Sequence, residues 1–466
     1  MTDISGAQPN PQPDPAGRRG RLAGAQSRGD LAANFADIKP PFSPAAALVE
    51  ASRCYFCHDA PCVEACPTGI DIPQFIAKIA SGNLKGSAVE ILKENIFGGS
   101  CARVCPTEIL CERACVRMTQ ESKPVAIGRL QRHATDHLMG LPADEGGQPF
   151  ARAAATAKTV AIVGAGPAGL ACAHALSLRG HETVVFEARD KGGGLNEYGI
   201  AAYKVPDDFA QSELAFILRL GGIELRCGSA LGRDVTLAQL HTEYDAVFLS
   251  IGLGGARSLD IDGAELSGVV PAVDYIARLR QADDLGRLPV ADKVVVIGGG
   301  NTAIDIAVQS KRLGAREVTI GYRRGPTQMG ATDHEQAFAQ TDGVAIRHWV
   351  QPYRILGADG RVVGIELERT ALDGDGRVAG TGVIDVVAAD MVFVAIGQYL
   401  VGDMLDAGDG SAVVVEGGRI VVDARMQTNV KGIFSGGDCV ASGDDLTVQS
   451  VEDGKRAAAN IHSFLS

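Results

Sequence analysis

Eight of the eleven cysteines fall between Cys54 and Cys115, and they form two groups. The first is Cys54, Cys57, Cys62 and Cys66, a C-x2-C-x4-C-x3-C run closed by Pro67. The second is Cys101, Cys105, Cys111 and Cys115, with Pro106 after its second member. Closely spaced thiolates followed by proline are the ferredoxin manner of holding 4Fe-4S centres, in which the last cysteine of one run can serve the other cluster. Two structural zinc ions would draw on the same residue type. In a reducing compartment such crowding reads as metal ligation rather than a disulfide framework. The remaining three, Cys172, Cys227 and Cys439, stand alone and read as small core residues.

A second chemistry is carried by glycine. Gly164, Gly166 and Gly169 form a G-x-G-x-x-G array between an apolar strand at 159–163 and a helical pattern. The first glycine permits the tight turn, the second lets a pyrophosphate approach the backbone, and the third lets helix pack on strand. The phosphate sits where free N–H groups and the helix dipole favour an anion. Glu187 ends the next strand, placed to accept hydrogen bonds from an adenosine ribose. The arrangement recurs at Gly298, Gly300 and Ala303. There the following strand ends in Tyr322-Arg323-Arg324, with no carboxylate from Gly321 to Thr332. Acid at that strand end selects the ribose hydroxyls of NADH, whereas arginine accommodates the 2′-phosphate of NADPH. NADPH is the expected nucleotide of the second turn.

Thr428, Gly432, Phe434, Gly436, Gly437 and Asp438 make a late strand that ends in Gly-Gly-Asp ahead of a last helix. From about residue 158 to the end the chain resembles the adrenodoxin-reductase-like and disulfide-reductase-like flavoproteins. That resemblance implies that Asp438 binds the ribityl chain of FAD and that the helix start near Val448 faces the flavin pyrimidine edge, where a helix dipole favours negative charge. It assigns FAD to the first turn and NAD(P)H to the second. Disulfide reductases need a paired redox cysteine, and none of the three isolated cysteines has a partner at C-x-x-C or C-x4-C spacing. Electrons must leave another way. Zinc has no redox use beside a flavin, so the N-terminal cysteines are expected to hold iron, and a flavin that accepts hydride can release electrons singly to such clusters.

These residues need scaffolds of different kinds. Apolar residues recur at helical spacing between the cysteine groups, as in Ile72, Phe75, Ile76 and Ile79, then Val89, Leu92 and Ile96. The glycine turns need parallel sheets built from βαβ units. The predicted fold is therefore an N-terminal helical 4Fe-4S domain followed by α/β structure, with two nested doubly wound dinucleotide-binding domains. The expected divisions are a flexible arm at 1–44, the iron–sulfur domain at 45–141, a linker at 142–157, the FAD-binding domain at 158–288 and 397–466, and the NAD(P)H-binding domain at 289–396. With 466 residues the chain exceeds one ordinary core. Its net charge of −12 argues against a nucleic-acid partner. No run is long and apolar enough for a membrane span, and the start has no apolar export segment, so a cytoplasmic protein is expected.

With these residues in view, the chain from about Asn34 onward is similar to the NAD(P)H-accepting part of dihydropyrimidine dehydrogenase. The likeness is carried by EASRCYFCHDAPCVEACPTGIDIPQFI, GGSCARVCPTEILCERAC, IGRLQRHATD and GGGLNEYGIAAYKVP. The resemblance implies one cluster on Cys54, Cys57, Cys62 and Cys115, and a second on Cys66, Cys105, Cys111 and Gln131, with Cys101 outside both sets. It also implies a partner, because the chain ends at Ser466, after the FAD helix, with no FMN barrel. Uracil or thymine would be reduced on an FMN- and iron–sulfur-containing second subunit. The small subunit of NADPH-dependent glutamate synthase is similar in every domain. Its second cysteine group has a shorter gap, it tends to have Glu in place of Gln131, and it lacks the string at Asp59 to Cys62. A free-standing ferredoxin- or quinone-type reductase is the third alternative.

Overall fold

The structure is a computed structural model that describes residues 26–408, 410–441 and 443–466. The N-terminal part is helical because its apolar residues fall on one face and several of its helix starts are capped. Ser43 caps Pro44–Ala51 and Asp71 caps Ile72–Ala80, each helix opening on a proline in its first turn, where the missing N–H costs nothing. Ile72, Phe75, Ile76 and Ile79 then pack against Ile91 and Leu92 of Leu84–Glu94 and against Leu130 and Leu138 of Ile127–Met139.

Two parallel five-stranded sheets follow. The first has the order Ile433–Ser435, Ala246–Leu249, Thr159–Val163, Glu182–Phe186, Ile223–Arg226. Its inner strands are apolar almost throughout, as a sheet covered on both faces requires. The second has the order Val269–Pro271, Met391–Ala395, Lys293–Gly298, Glu317–Tyr322, Ala345–His348. Ile433–Ser435 thus returns the chain to the first sheet. Between the sheets, Gly255–Ala256 and Gln398–Tyr399 run antiparallel to each other as the two crossing strands.

Four details differ from the sequence reading. The first 25 residues of the expected arm lie outside the described residues, but the rest of it is not a flexible arm. Ser27 and Asp30 form a capping box on Arg28–Asn34, and Leu31 and Phe35, one helical turn apart, are buried in the core of the second fold. Asn34 and Arg312 exchange side-chain to main-chain hydrogen bonds of 2.9 Å in both directions. The boundary at 288/289 falls too late, since Val269–Pro271 pairs with Met391–Ala395 of the second sheet and Ala272–Arg280 packs in its core. A strand of three residues gives too little alternation to read. Finally, one face of the second sheet is covered by an antiparallel meander, Val350–Ala358, Arg361–Leu372 and Val378–Ala388, whose Ile355, Ile365 and Leu367 pack on Val295, Ile297 and Val392. The expected linker is pinned as well: Ala153 N–H donates to Leu178 O and Thr156 N–H to Gly180 O, each at 3.0 Å.

Candidate functional site

At the first glycine turn, Gly164 has φ +103°, and a Cβ there would lie 2.3 Å from the Ser250 carbonyl oxygen. A Cβ on Gly169 would lie 2.0 Å from Gly164 O, so both positions exclude any side chain. Gly166 differs. It caps Pro167–Leu178 in an extended conformation, and its nearest neighbour would be Gly194 Cα at 3.8 Å, which leaves room over the helix N-terminus. Glu187 is buried below the turn, with Oε2 accepting from Ala165 N–H and Oε1 from Arg189 N–H, both at 2.9 Å.

Two further segments close on this turn. Asp438 accepts from Ser450 Oγ at 3.0 Å, and burial, with Asp445 nearby, pushes its carboxyl up. The last helix, Thr447–Leu465, has no side-chain cap, so its first N–H groups are not taken up by a capping side chain; Val448 is buried in its first turn. Thr447 Oγ1 donates to Asn196 Oδ1 at 3.0 Å, whereas Asn196 Nδ2 is buried with no partner among the described residues. An orphaned buried donor here has a use only if something else accepts from it. Sequence reasoning did not single out Asn196, Thr447 or Ser450, although Asn196 lies within the string GGGLNEYG.

The second turn lines a cavity of about 760 Å3. Gly298 has φ +148°, and a Cβ on it would lie 2.1 Å from Ala395 O. Around Gly300, which caps Asn301–Arg312, a Cβ would meet nothing within 4 Å. Ala303 is fully buried and takes the third position of the array. Arg323 and Arg324 line the same cavity, and among the described residues neither forms an ion pair. Gln398, in a crossing strand, and Arg257, next to the other, also line it and were not anticipated.

The cysteines separate into two places. Cys54, Cys57, Cys62 and Cys115 line one pocket, roofed by Tyr55 and Arg117. Burial, followed by the neighbouring Cys115 and Cys54, pushes the Cys62 thiol up to about 12. Elsewhere the adjacent Cys101, together with burial, raises the Cys105 thiol, and Cys111 and Cys66 are further neighbours. Gln131 is buried, with Nε2 donating to Gly98 O at 2.7 Å. Cys101, Cys111 and Cys66 are thus all neighbours of Cys105.

This second group abuts the first dinucleotide fold. Lys455, on the last helix, donates to Thr68 O at 3.2 Å, and the Thr68 hydroxyl lies 3.4 Å from Cys66 Sγ. Next to Cys101, Ser100 N–H donates to Glu213 Oε1 at 2.9 Å and its hydroxyl to Oε2. Glu213 lies on Phe209–Leu218 of that fold, and burial pushes its carboxyl up to about 7.

Residues 31–141 match the family described as dihydropyrimidine dehydrogenase domain II, 4Fe-4S cluster, and residues 158–457 match the pyridine nucleotide-disulphide oxidoreductases. The NAD-dependent dihydropyrimidine dehydrogenase subunit PreT homolog of Salmonella typhi is 35% identical over 93% of this chain and 98% of its own. The glutamate synthase [NADPH] small chain of Escherichia coli strain K12 is 34% identical over 92% of this chain and 94% of its own. The chain belongs to the family that includes these two proteins. It is an NAD(P)H-dependent oxidoreductase with a 4Fe-4S-binding domain. Among solved structures, Mycobacterium tuberculosis FprA in complex with NADPH superposes with a TM-score of 0.55 at 22% identity, over 66% of this chain and 84% of that one, and shares the fold. Among the described residues no helix is long and apolar enough to cross a membrane.

Proposed function

We propose that this chain is the electron-input subunit of a dihydropyrimidine dehydrogenase, oxidising NAD(P)H and delivering electrons to a partner that reduces uracil or thymine. The observation that carries this reading is the contact of the Cys66 segment with the last helix through Thr68 and Lys455, because that helix packs at Gly454 against Ala168 of the first dinucleotide turn. FAD held there would take two electrons as hydride and release them singly to 4Fe-4S clusters. Gly164, Gly166 and Gly169 with the helix N-terminus would hold its pyrophosphate, Glu187 its adenosine ribose and Asp438 its ribityl chain. The open Gly166 cradle and the orphaned Asn196 donor fit such a group. Cys54, Cys57, Cys62 and Cys115 would hold one cluster around their pocket, and Cys66, Cys105, Cys111 and Gln131 the other.

The glutamate synthase reading stays in play because the identities are nearly equal. Gln131 and the wide spacing of Cys105 and Cys111 favour the pyrimidine enzyme. Anaerobically purified protein should contain one FAD and about eight iron atoms with matching sulfide per chain. Coexpressed with an FMN- and iron–sulfur-containing partner, it should reduce uracil at the expense of NAD(P)H. Zinc in place of iron would end the cluster proposal, and glutamate formation with a glutamate synthase large chain would favour the alternative.

For the nucleotide, the two uncommitted arginines at the cavity wall favour NADPH, whereas the Salmonella relative is named NAD-dependent. Replacing Arg323 and Arg324 with Ala should raise KM for NADPH far more than for NADH. A charge-assisted contact is worth roughly 1.5 to 3 kcal/mol, which is about ten- to a hundredfold. A wild-type preference for NADH would show that these arginines do not read the 2′-phosphate.

A further inference from the structure

Between the first glycine turn and Phe209–Leu218, the segment 195–206 leaves the first fold and inserts into the second. At one end Asn196 is tied to Thr447 beside the first turn. At the other end the chain is fixed by Asn301–Arg312, the helix that Gly300 caps: Ala201 N–H donates to Asp305 Oδ2 at 3.2 Å and Ala202 N–H to Gln309 Oε1 at 3.1 Å. Tyr203 is fully buried in the core of the second fold, its ring 5.8 Å from that of Phe338 and beneath the Arg312 guanidinium. Arg280, also of the second fold, donates to three carbonyls of the segment, those of Asn196, Glu197 and Val205.

At the centre of this insertion Lys204 Nζ stands 2.8 Å from Asp305 Oδ1 and 2.8 Å from each Glu335 oxygen. The Lys204 and Asp305 side chains are 10% and 7% exposed. Asp305 belongs to the helix capped by Gly300, and Glu335 to the next helix, Asp333–Thr341. One ammonium therefore joins two carboxylates on two helices of the second fold to a loop of the first. Burial alone would lower the Lys204 ammonium, but Asp305 and Glu335 hold it above its usual range.

We propose that Lys204 is a positioning residue that locks the nucleotide helix of the second fold to the first fold through Asp305 and Glu335, setting the geometry of hydride transfer. The proposal rests on the reading that a flavin occupies the first fold. Hydride transfer needs its reacting atoms about 3 to 3.5 Å apart, and a 1 Å misplacement costs on the order of a hundredfold. Two folds joined by separate crossing strands have a natural hinge at those strands. The crossing pair Gly255–Ala256 and Gln398–Tyr399 is only two residues long on each side, so the segment 195–206 is the deeper connection.

The test uses the full-length holoprotein. Lys204→Met should slow flavin bleaching by NAD(P)H, read by anaerobic stopped flow, by about ten- to a hundredfold. Flavin content and the calorimetric Kd of the oxidised nucleotide should change little, because Lys204 touches neither site. Amide exchange at Ala201 and Ala202 should quicken, and Lys204→Arg should restore both the rate and the protection. Lys204→Met also leaves two buried carboxylates unpaired, which destabilises in its own right. The neutral combination of Lys204→Met, Asp305→Asn and Glu335→Gln removes that cost and is expected to stay slow. A neutral variant that bleaches at the wild-type rate overturns the proposal, as does unchanged exchange at Ala201 and Ala202. Wild-type protein that lacks flavin would overturn the functional reading instead, and amide exchange would still decide whether Lys204 joins the two folds.

Discussion

Cys111→Ala should leave NAD(P)H able to bleach the flavin and to drive turnover with a small artificial acceptor, while abolishing pyrimidine reduction by the reconstituted complex. The separation follows from position. Cys111 lies with Cys66 and Cys105 in the N-terminal helical part, whereas the glycine turns and Asp438 belong to the two sheets. Removing a thiol from the first place changes neither nucleotide cradle, but it would leave the proposed second cluster short of a ligand. Two companion variants test the ligand set. On the proposed ligand sets, Gln131→Ala should alter the electron paramagnetic resonance signal of the cluster at Cys105 and spare the one assigned to Cys54, Cys57, Cys62 and Cys115. Cys101→Ala should keep both signals. The nearness of Cys101 to Cys105 makes this a sharp test. Should Cys101→Ala remove a signal that Gln131→Ala leaves intact, the fourth ligand is Cys101, the Gln131 amide serves only to hold Gly98 O, and the distinction from glutamate synthase weakens.

The chemistry of this chain was more legible than its assembly. Gly164, Gly169 and Gly298 announce themselves because a positive φ or a carbonyl within about 2 Å of a would-be Cβ leaves no other residue possible, and such positions stand out between an apolar strand and a helix. Cysteine spacing is local and could be read directly. What escaped was either too short or too distant. Val269–Pro271 offers three residues, fewer than one cycle of any useful pattern. The Thr447–Asn196 bond joins residues 251 apart and the Lys204–Glu335 pair joins residues 131 apart, so no window of sequence contains either. Leu31 and Phe35 were masked by the polar, proline-rich stretch before them, although Ser27 and Asp30 form a capping box that was present to be read. The meander at Val350–Ala388 alternates buried and exposed residues along Arg361–Leu372, a strand signal that was overlooked beside the stronger glycine motifs.

Gly300→Val should abolish efficient use of NAD(P)H in a protein that folds normally, and comparison with Gly298→Ala shows why. Gly300 has φ −94° and ψ 179°, a conformation open to any residue, and a Cβ there meets nothing within 4 Å. Its space is free in the protein alone, so the substitution should cost only about 1 kcal/mol, for a poorer residue at the helix start. The same space lies over the N-terminus of Asn301–Arg312, where a pyrophosphate must approach the backbone N–H groups. A valine there holds the phosphates off. Loss of two charge-assisted hydrogen bonds at roughly 1.5 to 3 kcal/mol each is worth on the order of a hundredfold or more in nucleotide affinity. Gly298 is the opposite case, since φ +148° and the Ala395 carbonyl 2.1 Å from its Cβ force the neighbouring strand to move. Gly298→Ala should therefore lower the thermal midpoint and nucleotide affinity together. Calorimetric titration of each variant with NADPH and NADH, beside its thermal unfolding, separates the two effects. If Gly300→Val binds both nucleotides with wild-type affinity, the second turn is not the nucleotide site, and the cavity lined by Arg323 and Arg324 must serve another ligand.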